Sequence, residues 1–134
     1  MKTWVVMYSI IWMAFFDIML VLFITPMFSA VNMAVHLTLG VGVLALAFVV
    51  RREVRKTACP NRIKLITGTT FNLAVVQAVL GLALAAGLSL SWGGVYTTAV
   101  NFVHAALSLA IITQTAASAT AFDMWEEKEF QAQA

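Results

Sequence analysis

The chain has 134 residues, of which 62% are hydrophobic and only 10% charged, and its mean hydropathy is +0.93. A soluble domain of this length cannot bury so much apolar surface, because globular proteins are on average about half apolar and a quarter charged. The formal charge of +2 is small, so the clustering of the charges carries more information than their sum.

Four apolar stretches reach the roughly 20 residues that span hydrocarbon as a helix: Trp4–Thr25, Val31–Val50, Leu65–Leu88 and Val95–Ala121. The first superficially resembles a signal peptide ending at Phe28-Ser29-Ala30. It is long for such an apolar region and carries Asp17, and it is read as a retained helix. Thr25-Pro26 ends it, since a residue before proline is pushed out of helical geometry, and Ser29 is placed to cap the second helix. The following loop, Arg51–Lys64, holds six of the eight basic residues: Arg51, Arg52, Arg55, Lys56, Arg62 and Lys64. Between two apolar spans such a cluster is a topology signal rather than a nucleic-acid patch, and it predicts a cytoplasmic loop. Cys59 is the only cysteine, so neither an internal disulfide nor a thiolate metal site is expected.

Trp92-Gly93-Gly94 separates the third and fourth spans. Asp123, Glu126, Glu127 and Glu129 occupy the tail, and from Trp125 onward a short polar segment or an interfacial helical turn is expected. The fold expected is a single all-α domain, residues 1–134, built as an up-down transmembrane four-helix bundle. An even number of crossings puts both termini on the cytoplasmic side with the basic loop. Trp4, Tyr8 and Trp125 would mark the inner interface, and Trp92 and Tyr96 the outer one. The localisation implied is a multi-pass protein of a prokaryotic cytoplasmic membrane, with the lipid bilayer as first partner.

Only Asp17, His36 and His104 are ionisable within the spans, and such residues are functional candidates because they are costly in lipid. At about 1.5 Å per residue, Asp17 lies about 12 Å, His36 about 8 Å and His104 about 13 Å below the outer boundary. Both histidines therefore sit in the outer leaflet at nearly one level. In a ring ordered 1-2-3-4, helices two and four face each other across a diagonal of about 12–14 Å. Two imidazoles so placed suit the axial positions of a six-coordinate haem. His36, Gly40, Val43 and Ala47 share one stripe, with Gly42 close by. Asn101, His104, Ser108, Thr115 and Ser118 form another, as do Thr67, Thr70, Ala74, Gln77, Gly81 and Ala85. Such stripes face a bundle interior, as a cofactor wall or as ordinary small-residue packing. His36-Leu-Thr-Leu-Gly-Val-Gly also aligns with His104-Ala-Ala-Leu-Ser-Leu-Ala, each preceded by an asparagine, Asn32 and Asn101. This faint repeat suggests two hairpins related by an axis along the membrane normal.

Other readings stay open. The histidines could be helix–helix hydrogen-bonding groups, or His36 could join Met33 in a copper site. Asp17 could be a partner of a ligating histidine, a proton-handling group, or a protonated side chain bonded to a neighbouring helix. Gln77 could bond a haem edge or a neighbouring backbone.

At His36, Gln77-Ala-Val-Leu-Gly81 and His104 the chain resembles one four-helix half of the haem A synthase family, over roughly residues 31–121. The resemblance implies that His36 and His104 ligate haem, and it implies oxidation of the haem O methyl group to the formyl of haem A in cytochrome oxidase assembly. The family's glutamate before the second-helix histidine falls at Met33 and its following arginine at Leu37, and its outer-loop cysteine pair is absent. These departures bear on catalysis more than on haem binding. The expectation is a membrane protein binding haem b (or haem O or A), as an electron carrier or haem-modifying oxidoreductase. His36 and His104 would be metal ligands, Gly40, Gln77 and Asn101 cofactor contacts, and Asp17 the proton-handling candidate. Partners would be a second copy or subunits of a respiratory complex. The alternative is a cofactor-free accessory subunit of such a complex; a small transporter or channel is a third reading.

Overall fold

A computed structural model describes residues 2–23, 29–87 and 94–132, leaving aside the side chains of residues 95 and 96. It contains α1 (Thr3–Phe23), α2 (Ala30–Lys56), α3 (Asn61–Ala85) and α4 (Gly94–Ala132). α1 packs against α2 and α4, and α3 against α2 and α4, while neither diagonal pair brings its Cα atoms within 8 Å. This is the up-down ring expected when short connections make successive helices antiparallel neighbours. All four helices are long and apolar enough to cross a membrane. Their outward faces carry Trp12, Phe16, Leu22, Val79 and Phe102, each more than half exposed. A soluble monomer rarely shows a continuous apolar surface of this kind. The chain has the form of a multi-pass membrane protein.

The helix ends have local causes. Ser29 is extended (φ −67°, ψ 140°), and its hydroxyl accepts from the Asn32 backbone N–H at 3.1 Å, capping α2 as its sequence position suggested. α2 stops at Thr57, whose N–H and hydroxyl both donate to the Val54 carbonyl, at 3.2 and 2.8 Å. Pro60, with no N–H to leave unpaired, precedes α3. At the far end of α3, Gly87 turns to φ 68° and donates to the Leu84 carbonyl at 3.1 Å. Only glycine takes that left-handed conformation without cost. The proposed breaks at Thr25-Pro26 and Trp92-Gly93, and the interfacial roles of Trp92 and Tyr96, lie outside the described residues or side chains.

Three helices extend past one of their expected ends. α2 continues six residues beyond Val50, and α3 begins before Leu65, so the basic loop contracts to residues 57–60. Hydropathy marks where hydrocarbon ends, not where a helix ends. Arg, Glu, Val and Lys at 51–56 are compatible with helix, and Val54 is fully buried. α4 runs to Ala132, so the acidic segment expected as a polar tail is helical. Phe122 at 1% exposure belongs to the core, and Trp125 stacks on it at 5.3 Å. At 39 residues α4 is about 58 Å long, well beyond the roughly 30 Å of a hydrocarbon core.

The core is concentrated at the end that carries the basic loop. Met7, Ile10, Ala47, Val50, Val54, Ile63, Ile111, Ala119 and Phe122 are buried there. Small residues let the helices approach, and the buried hydroxyls of Thr67, Thr115 and Ser118 bond back to carbonyls four residues earlier, at 3.0, 2.6 and 2.8 Å. No polar atom of these three needs another helix. Packing this close responds strongly to the loss of methylenes.

Phe122→Ala should lower stability by about 3–5 kcal/mol, the usual cost of removing a buried aromatic side chain. Phe130→Ala, at a position 76% exposed, should leave stability unchanged. Thermal unfolding of both variants in detergent checks the pair. Equal stability would mean that the α4 extension is not docked.

Candidate functional site

The opposite half of the bundle is built differently. Here the inward positions are Asp17 on α1, His36 on α2, Gln77 on α3, and His104 and Ser108 on α4. The Ser108 hydroxyl bonds back to the His104 carbonyl at 3.3 Å, whereas Asp17, His36, Gln77 and His104 reach to side chains on neighbouring helices. His36 Nδ1 and Asp17 Oδ1 are 2.7 Å apart, joining α1 to α2. Gln77 Nε2 lies 3.3 Å from His104 Nε2 and donates to Ser108 Oγ at 2.6 Å, joining α3 to α4. Each hairpin thus has its own polar clasp, a carboxylate in the first and a carboxamide in the second.

Between the clasps the two histidines meet. Their ring centroids are 6.2 Å apart and their planes are inclined by 67°. They belong to the diagonal helices α2 and α4, as the ring order requires. Around them lies a cavity of about 190 Å³ whose remaining walls are apolar except for Asp17, Gln77 and Ser108. Two buried polar atoms, Gln77 Oε1 and His104 Nδ1, have no hydrogen-bond partner. A buried donor or acceptor left unmade costs about 1–3 kcal/mol, so such atoms are concentrated where a ligand or water supplies the partner.

Small residues shape the site. A Cβ on Gly81 would lie 3.0 Å from His104 Cε1, so the imidazole rests directly on the α3 backbone. Gly40 lines the cavity, and a Cβ there would meet nothing within 4 Å. Gly42 serves packing instead, its missing side chain leaving space for Met13.

The structure brings together His36, His104, Gly40, Gln77 and Asp17, but not Asn101. That side chain is exposed and its Nδ2 donates to the Thr97 carbonyl at 3.0 Å, within its own helix. An asparagine in lipid can satisfy itself on the carbonyl four residues back, and the polar stripe of α4 therefore begins at His104. Ala85 likewise faces outward. The sequence did not reveal the Gln77–Ser108 bond, although both residues lay on inward stripes and their pairing follows once α3 and α4 are neighbours.

Among the described residues no three His, Cys, Asp or Glu side chains converge to hold a metal ion. The site offers two imidazoles of different character. His36 has one nitrogen engaged by the Asp17 carboxyl group, which orients the ring. His104 faces a neutral amide.

Asp17→Ala should destabilise the protein by about 1–3 kcal/mol by stranding a ring nitrogen of His36. Asp17→Asn, which keeps an acceptor oxygen, should lose less. Unfolding in detergent decides, and unchanged stability in Asp17→Ala would show that the carboxyl group does not hold the ring. No family model matches this chain, and no curated protein and no solved structure matches it either.

Proposed function

We propose that this protein binds haem in the membrane, with His36 and His104 as its two axial ligands. The observation that carries the reading is the placement of two half-buried imidazoles, from diagonal helices, 6.2 Å apart across a cavity. With metal–nitrogen bonds of about 2.0–2.1 Å, a metal held between two opposed imidazoles separates their ring centroids by roughly 6 Å. Among the described residues no group of three His, Cys, Asp or Glu is gathered for a metal ion, which suits an ion that brings its other four ligands in a macrocycle.

The surroundings accommodate part of the same group. The cavity is smaller than the roughly 300–1,000 Å³ of ordinary ligand pockets, so a macrocycle would occupy the cavity together with its open side. Among the described residues, His104 Nδ1 and Gln77 Oε1 are the buried side-chain atoms without a hydrogen-bond partner. His36 and His104 would hold the iron, Asp17 would orient His36, and Gln77 and Gly81 would seat His104. Bound haem supplies a one-electron couple. With His36 and His104 both holding the iron, electron transfer would be the chemistry the site supports best. The resemblance of His36, Gln77–Gly81 and His104 to half of a haem A synthase supports the related reading of haem modification for oxidase assembly.

The orientation belongs to the same reading. The basic residues 51–64 hold their end of the bundle in the cytoplasm, and with it both termini. The histidines then lie in the outer half of a prokaryotic cytoplasmic membrane.

The test is the reduced-minus-oxidised spectrum of the purified protein reconstituted with haem b. A six-coordinate low-spin signal is expected, and His36→Ala or His104→Ala should each abolish it. A colourless protein that takes up no haem, with folding intact, leaves the reading of a cofactor-free accessory subunit in its place.

A further inference from the structure

The cavity is not closed on all sides. Its walls on α1 and α4 are buried or half-buried: Ala14, Asp17, His104, Ser108 and Ile111. The exposed lining residues lie on the other two helices. They are Leu37, Gly40 and Val41 on α2, and Leu82 on α3, with Val41 at 66% and Leu82 at 61% exposure. The opening is therefore in the seam between α2 and α3.

Connectivity accounts for an opening there. α2 and α3 are joined by residues 57–60, at the basic end, so no connection crosses their seam in the half that holds the cavity. Towards the basic end the seam is shut. Phe48 and Phe71 meet at 5.8 Å, and the Arg51 guanidinium lies 4.9 Å from the Phe71 ring. Gly40 is ten residues into α2, about 15 Å from its start, a depth within hydrocarbon rather than at an aqueous surface. The rim carries no charge and no hydrogen-bonding side chain.

We infer that the ligand of this cavity is loaded sideways from the bilayer, through the seam between α2 and α3 at Gly40. The occupant is a flat, lipid-soluble macrocycle whose edge projects between Gly40 and Leu82. Its identity rests on the haem reading, whereas the route rests on the exposed rim. A polar solute has no path to this mouth through lipid. Gly40 is suited to the position because its missing side chain leaves open space rather than filling a contact. A substitution there obstructs the mouth without disturbing the protein's packing.

Two measurements test the route. Apo-protein in liposomes is mixed with vesicles carrying haem b, and the rise of the six-coordinate band is timed. Gly40→Leu should load at least about tenfold more slowly than the wild type. Gly94→Leu, also at a position with open space but at the start of α4, should load normally. If Gly40→Leu takes up no haem at all, Leu82→Ala should load faster than wild type. An unchanged rate in both Gly40→Leu and Leu82→Ala, or an equal delay in Gly94→Leu, overturns the route.

The second measurement needs no haem. A nitroxide attached at Ala78→Cys in a Cys59→Ser background should collide frequently with dissolved oxygen and rarely with a water-soluble nickel chelate. The reverse pattern means that the cavity opens to water, and it overturns the proposal. Wild-type protein that shows no haem band while the nitroxide faces lipid would sink the choice of ligand and leave the route standing.

Discussion

Hydrocarbon offers a polar atom nothing to bond to, and this constraint orders the molecule. Each crossing closes its backbone hydrogen bonds within one helix. Short polar side chains follow the same rule, as the hydroxyls of Thr38, Thr69, Thr113 and Thr120 do by bonding carbonyls four residues earlier. Asp17, His36, Gln77 and His104 are too long or too rigid for that solution. They must find each other across helices, and their pairing makes two clasped hairpins out of four separate rods. Everything distinctive about the site follows from where those four residues fall.

The two hairpins repeat one scheme. The first helix of each contributes a carboxyl or carboxamide, and the second contributes an imidazole. The faint alignment of the segments around His36 and His104 touches only half of this correspondence, because Asp17 and Gln77 share no sequence pattern. The scheme is symmetric in geometry and unequal in chemistry: a carboxyl group backs one ring and an amide the other, so a metal between them would meet two differently supported ligands.

Much of this was legible beforehand. The four crossings, the ring order and the Ser29 cap follow from apolar length, short connections and one hydroxyl in the right place. So did the meeting of His36 with His104, once helices two and four were set on a diagonal. The ends of α2, α3 and α4 were not legible, since charged residues that leave the hydrocarbon can stay helical when a Val54 or a Phe122 among them is buried. Asn101 misled because periodicity reports which face a residue occupies approximately, and not whether its amide has already been satisfied by its own helix. The lateral mouth was hidden for another reason. It depends on which seam lacks a connection at that depth and on how far Leu37, Val41 and Leu82 stand apart from their neighbours, and neither is written in one helix alone.

Phe122 has a bearing on His104 that its distance conceals. The two residues are 18 positions apart on one unbroken helix, about 27 Å along its axis. Because the phenyl ring is seated among close-packed neighbours, α4 cannot slide lengthwise by small amounts. Its next stable resting place would be a full turn away, about 5.4 Å. A shift of that size would carry the His104 imidazole out of step with His36. The height of one half of the site is thus set by an anchor at the opposite end of the rod.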